Sequence, residues 1–146
     1  MQISNLIPRM QVVGVPVFAM FSPFPISCFT AALLTDIGYY NTADIQWANF
    51  SAWTLAYGEF FLGFVILITF IEIIRASGVR PIRAWLQLGL YILTFVLVMF
   101  NNFVHGRDGW TSVVPQGLIL SAITVILMMI AAFVGFRTFR SEVRVL

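Results

Sequence analysis

Four apolar stretches of bilayer length, parted only by short polar turns, constrain this chain more than any other feature. They cover about residues 23–40, 47–75, 81–104 and 113–139. A helix needs about 20 mainly apolar residues to cross a ~30 Å hydrocarbon core, and a β-strand of such length and evenness would be unusual. Hydrophobic residues make up 60% of the 146 and charged residues 10%, with a mean hydropathy of +0.95. Soluble domains carry roughly a quarter charged residues, so lipid has to be the solvent. The expected fold is all-α: one domain over residues 1–146, a four-helix transmembrane bundle.

Local signals mark the helix ends. Residues 12–22 are apolar but broken by Pro16, with Pro23 and Pro25 following. They read as an interfacial or partly re-entrant lead-in, kinked at Pro16 and Pro23. Asp44 is placed to cap the second helix. Trp47, Trp53 and Tyr57 lie in that helix's first half, where interfacial aromatics belong. Gly78 and Pro81 end the second helix and start the third. The segment from His105 to Trp110 reads as a polar turn, with His105 exposed. The opening Met1–Arg9 lacks a short basic segment leading straight into an apolar core, so no cleaved signal peptide is expected.

Charge supplies the topology. All eight positive charges are arginines. Seven of them (Arg9, Arg75, Arg80, Arg83, Arg137, Arg140 and Arg144) fall on the side that a four-helix chain gives to both termini. Arg107 stands on the other side with Asp36, Asp44 and Asp108. The positive-inside rule puts both termini in the cytoplasm, in a bacterial inner (cytoplasmic) membrane, with Arg75, Arg80, Arg83, Arg137 and Arg140 as anchors. A net charge of +2 is too small and dispersed for a nucleic-acid footprint.

Few residues could carry chemistry. Glu59 falls midway along the second helix, where an ionised carboxylate is costly, so it is either protonated or paired. It serves as a proton relay or a polar contact for a quinone headgroup or partner subunit, or it is a protonated group bonded to Tyr91, Thr94 or Ser121. Glu72 lies three residues before Arg75 and fits an i, i+3 interfacial pair. Asp36 fits a cap or loop contact. One histidine and one cysteine, Cys28, give no metal site and no haem ligand pair. Phosphate loops, His-Glu-x-x-His, Cys-x-x-Cys and a Ser–His–Asp set that a bundle could assemble are not expected. Gly58, Gly63, Ala131, Ala132 and Gly135 permit close helix approach. Met99, Met128 and Met129 read as packing or lipid-facing residues.

Several of these segments resemble one bacterial family. Ser22-Pro23-Phe24-Pro25-Ile26, Ala31-Ala32-Leu33-Leu34-Thr35-Asp36, Trp47, Ser51, Trp53-Thr54-Leu55, Gly58 and Val113 through Ser121 are similar to domain-of-unknown-function family 2231. The resemblance covers most of residues 12–140 and implies four membrane helices. The family's opening, His-Pro-x-Leu-Val-His-Phe-Pro-Ile-Ala, sets two histidines where this chain has Phe18 and Pro23. Its common ending, Tyr-Arg-His-Gly-Val-Gly-Val, meets Phe139-Arg140-Ser141-Glu142-Val143 here, so a third histidine is missing. Glu72 occupies the place of the acidic residue closing the family's second helix. The resemblance thus implies a retained scaffold without the histidines that could bind haem or metal.

The expected function is a non-catalytic accessory subunit packed against a larger membrane complex, a respiratory or photosynthetic electron-transfer complex first among them. The alternatives are a small quinone- or haem-associated electron-transfer protein and a small transporter or proton channel using Glu59. No cofactor of its own is expected. Partners are membrane lipids, other membrane subunits, and a quinone or pigment at the surface.

Overall fold

The computed structural model describes residues 11–12, 15–75, 82–107 and 113–143. Two-residue strands β1 (Gln11–Val12) and β2 (Val15–Pro16) pair antiparallel ahead of the helices. The helices are α1 (Val17–Phe21), α2 (Pro23–Thr42), α3 (Ile45–Ile74), α4 (Ile82–His105) and α5 (Leu118–Val143). Four spans are long and apolar enough to cross a membrane: Val17–Thr42, Ile45–Ile74, Ile82–His105 and Val113–Thr138.

The lead-in differs from the sequence expectation. Residues 17–21 are helical and belong to the first span, not to an interfacial segment. Ser22 keeps helical angles (φ −60°, ψ −29°), so the chain runs on into α2 with Pro23 at its start. Proline is tolerated there because a first-turn N–H has no intrahelical acceptor anyway. Phe18 is fully buried, its ring 5.9 Å from that of Phe136 in α5.

Short turns make consecutive helices antiparallel. At the end of α2, Ala43 takes a left-handed conformation (φ 56°) and its N–H bonds to the Tyr39 carbonyl at 2.8 Å. Asp44 then caps α3 as expected, its Oδ1 accepting from the Gln46 N–H at 2.9 Å. This cap starts α3 at Ile45, two residues earlier than hydropathy indicated. Before α5, the chain turns through Val113–Gly117, with Val114 extended (φ −115°, ψ 129°) as a residue preceding proline prefers. The Gly78–Pro81 break and Asp108 lie outside the described residues.

The helices form a ring: α2 packs on α3 and α5, and α4 packs on α3 and α5. Phe29, Leu55, Leu62, Val65, Tyr91, Val98 and Met128 fill its centre. Gly58 lets α2 and α3 approach closely, since a Cβ there would run into the Phe29 ring and lie 2.9 Å from the Cys28 Cβ. Gly135 does the same where Gln87 and Phe18 meet α5. Gly63 does not: its nearest neighbour would be Phe95 at 4.0 Å. Ala131, Ala132 and Met128 are buried, whereas Met99 and Met129 face outward.

Only α4 shows a clear difference between its faces, and the difference is inverted. Its buried stripe holds Gln87, Tyr91, Thr94, Asn101 and His105, while Trp85, Leu86, Leu93, Phe100 and Phe103 point out. In lipid the outside is as apolar as the core, so polar groups move inward to find partners.

Candidate functional site

The inward polar residues of α4 meet those of α2 and α5 near the helix ends on the α2–α3 turn side. Asp36, one and a half turns before the end of α2, is fully buried. Its Oδ1 lies 2.8 Å from His105 Nε2, and its Oδ2 accepts from the Ser121 hydroxyl at 2.6 Å. Ser121 Oγ in turn accepts from Asn101 Nδ2 at 2.8 Å. His105 Nδ1 lies 2.9 Å from the backbone carbonyl of Asn101. The bonds close a ring that begins and ends on Asn101. Gly117 admits the imidazole, because a Cβ at that position would sit 2.8 Å from His105 Cε1.

The donor and acceptor inventory fixes most of the hydrogens. A backbone carbonyl only accepts, so Nδ1 carries a proton and donates to it. Ser121 donates to Asp36, and its oxygen is left to accept from the Asn101 amide. One proton therefore lies between His105 Nε2 and Asp36 Oδ1. An imidazolium–carboxylate pair and a neutral imidazole–carboxylic acid pair both satisfy the ring, and both are neutral overall. A net charge in hydrocarbon is costly, so this neutrality suits the site. Asn101 Oδ1 is the one polar atom of the ring left buried without a hydrogen-bond partner.

These positions correct three sequence expectations. His105 is not an exposed turn residue; it forms the last turn of α4 and is 9% exposed. Asp36 is neither a cap nor a loop contact. The bundle also does assemble a serine, a histidine and an aspartate. The carboxylate stands in the middle, however, bonded to both others. A nucleophilic triad needs the imidazole between serine and aspartate so that it can take the hydroxyl proton, and this order makes a structural clasp instead.

Glu59 lies apart from the ring, half-buried on the seam between α3 and α4. Its Oε2 accepts from Asn102 Nδ2 at 2.6 Å. The partner is therefore Asn102, not Tyr91, Thr94 or Ser121. Asn102 is three residues from the end of α4, roughly 5 Å along the axis, whereas Glu59 is 14 residues into α3, roughly 21 Å. The first turns of α3 thus overhang the end of α4, and the bond draws Glu59 toward the end holding His105.

Glu72 is 4% exposed and so lies buried near the end of α3. Arg75, Arg83 and Arg137 are exposed and gather at the bundle end opposite His105, by the antiparallel order of α3, α4 and α5. The Arg137 guanidinium rests 5.5 Å over the Phe133 ring. Arg80 and the Arg140 side chain lie outside the described residues. Among the described residues no three His, Cys, Asp or Glu side chains converge as a metal would require.

The two ring residues on α4, Asn101 and His105, could have been found by periodicity. Polar or ring-bearing side chains at 87, 91, 94, 101 and 105 follow a spacing of three and four within an apolar helix. That pattern marks one face, and in lipid a polar face turns inward. Nothing local singles out Asn102, whose role depends on the overhang of α3.

The chain belongs to the family described as predicted membrane protein (DUF2231), whose sequence model matches residues 14–145. That description carries no catalytic activity. Neither the curated proteins nor the solved structures contain a match to the chain. At the two opening positions where the resemblance implies histidines, this chain has the buried Phe18, packed against Phe136, and Pro23 at the start of α2.

Proposed function

Taking that membership as premise, we propose that this protein is a non-catalytic accessory subunit, held by its outer faces against a larger complex in the bacterial cytoplasmic membrane. One observation carries the reading. Phe50, Trp53, Tyr57, Phe60, Phe64 and Leu67 alternate by three and four along α3, and all are exposed. A three–four alternation is the spacing at which one helix lays a seam along another. The stripe points away from Ser51, Leu55, Leu62 and Val65, which face the core. Its rings also brace one another: the Trp53 and Tyr57 centroids are 6.1 Å apart, and those of Phe60 and Phe64 are 5.0 Å apart. A stiff aromatic ridge fits a fixed protein groove, and large rigid rings give contact area at low entropic cost.

The interior supports the same reading, because Asp36, His105 and Ser121 satisfy one another and leave no reactive group in position. The arginines add orientation: both termini lie on the cytoplasmic side by the positive-inside rule. A respiratory or photosynthetic electron-transfer complex is the partner we favour. The test is a photo-crosslinking residue at Phe60 in native membranes, with Ile126 on the outer face of α5 as control. One discrete adduct from Phe60 alone, together with a native mass above that of the single chain in mild detergent, is expected. Identical patterns from both positions and a stable lone monomer would refute it.

A further inference from the structure

We infer that the α3–α4 seam carries a lipid-facing binding site for a membrane-dissolved molecule with a ring hydroxyl, a quinol in chemical class, held by Glu59 and Asn102 beside the open space at Gly63. The inference goes beyond the subunit reading and does not depend on it.

Two independent observations meet at this seam. The first is chemical. Glu59 bonds to Asn102 through Oε2, and among the described residues its Oε1 has no partner. Both side chains are half-buried, so the free oxygen is open to the bundle's outside, within a span of 30 residues. A carboxyl group on a lipid-facing seam calls for a hydrogen-bonding partner from the lipid side. Asn102 presents its N–H to Oε2, which fixes that oxygen as an acceptor and leaves Oε1 to accept in the carboxylate or to donate in the acid.

The second is steric. Gly63 lies four residues from Glu59, one turn along the same side of α3. Added side-chain bulk at Gly58 or Gly135 would collide with neighbours, whereas at Gly63 it would meet only the edge of Phe95 at 4.0 Å. The missing side chain is therefore not needed for helix packing. It leaves a notch with an acceptor at one end and an aromatic wall on α4. A flat ring fits such a wall by stacking or edge contact. One hydroxyl on that ring reaches Glu59, and its tail stays in lipid.

This chemistry selects among membrane molecules. A ring hydroxyl both donates and accepts, so it satisfies Oε1 in either protonation state, whereas the carbonyl oxygen of an oxidised quinone only accepts and satisfies the acid alone; the reduced form is therefore the better fit. A glycerol lipid such as diacylglycerol also brings a hydroxyl, but no ring for the notch.

The experiment uses the full chain in phosphatidylcholine nanodiscs and a short-chain ubiquinol analogue bearing an azide. Photolabelling is mapped by peptide mass and competed with decylubiquinol, decylubiquinone or dioctanoylglycerol. Labelling of peptides that contain Gly63 and Phe95 is expected, with decylubiquinol the strongest competitor. E59L, which removes the hydrogen bond, and G63L, which fills the space beside Phe95, each weaken labelling by at least about tenfold. E59Q, whose oxygen accepts from Asn102 while its NH2 takes the place of Oε1 and donates to the ring hydroxyl, retains most of it. G63L serves as the folding-safe variant, since its side chain has room, and its helix content and melting temperature match wild type. Labelling unchanged in both E59L and G63L overturns the site. Equal competition by dioctanoylglycerol overturns the choice of a ring. Because the isolated chain is used, either failure leaves the crosslinking test of the subunit reading untouched.

Discussion

Replacing Asp36 by asparagine should be nearly harmless, and replacing it by alanine should not. In the D36N variant the new amide nitrogen donates to a neutral His105 Nε2 while the amide oxygen accepts from Ser121. Every bond that the carboxylate makes at 2.8 and 2.6 Å keeps a partner. Only charge assistance is lost, and interhelical side-chain hydrogen bonds in membranes average about 0.6 kcal/mol. D36N should therefore cost less than about 1 kcal/mol. In D36A the imidazole nitrogen and the Ser121 hydroxyl lose their acceptor or donor together, at ~1–3 kcal/mol for each unsatisfied buried group. Ser121 regains part of that by bonding to its own i−4 carbonyl. The balance, with a small cavity, is about 2–4 kcal/mol. Titrating dodecylmaltoside micelles with sodium dodecyl sulfate and following helix ellipticity measures both. Equal losses for the two variants would show that charge, not the bonding pattern, holds the clasp, and would refute the account of it as a set of satisfied hydrogen bonds.

Glycine positions give a sharper set. Gly58→Ala places a Cβ 2.8 Å from Phe29 Cδ1 and 2.9 Å from Cys28 Cβ, so the same titration should show a loss of ~1–3 kcal/mol from overpacking. Gly89→Ala meets nothing within 4 Å and should stabilise by up to about 1 kcal/mol through helix propensity. Gly117→Ala pushes on the imidazole at 2.8 Å; the shift of the His105 ring resonances by NMR, with a loss similar to that of D36A, is the expected signature. Ala43→Gly relieves a left-handed alanine at φ 56° and should raise stability by roughly 0.5–1 kcal/mol, read as a higher melting temperature.

Hydropathy and caps were sufficient for the four spans, because transfer into lipid dominates the energetics and depends on composition alone. Asp44 could be read as a cap from its position. The proline-punctuated segment before Pro23 could not be read correctly, since proline at a first turn and proline at a kink look alike in sequence. His105 was misplaced because glycine at 106 suggested a turn, while the α4 polar stripe was the stronger signal. Glu59 stood out by being charged in mid-span, yet its partner depended on the stagger of α3 and α4. Stagger comes from side-chain packing across the seam, which no local pattern encodes.

The four seams of the ring explain why one acid can be free for other work. Lipid gives helices no hydrophobic reason to prefer one neighbour, so polar bonds and close packing must choose. The α2–α3 seam is tied by Thr35 and Ser51 at 2.6 Å, with Ser51 also bonded to the Ala32 carbonyl. Asp36 and Ser121 tie α2 to α5, and Asn101 and Ser121 tie α4 to α5. Ser51, Asp36, Asn101 and Ser121 are all fully buried. Those three ties already fix the order α3–α2–α5–α4, and a closed ring of four then leaves α3 and α4 adjacent without further instruction. By the same count any one of the four ties is redundant for helix order; among the described residues the Glu59–Asn102 bond is the one made by two half-buried side chains. A hydroxyl of the kind proposed would meet Glu59 at that seam from outside the bundle, whereas at each of the other three it would first have to displace a fully buried side chain.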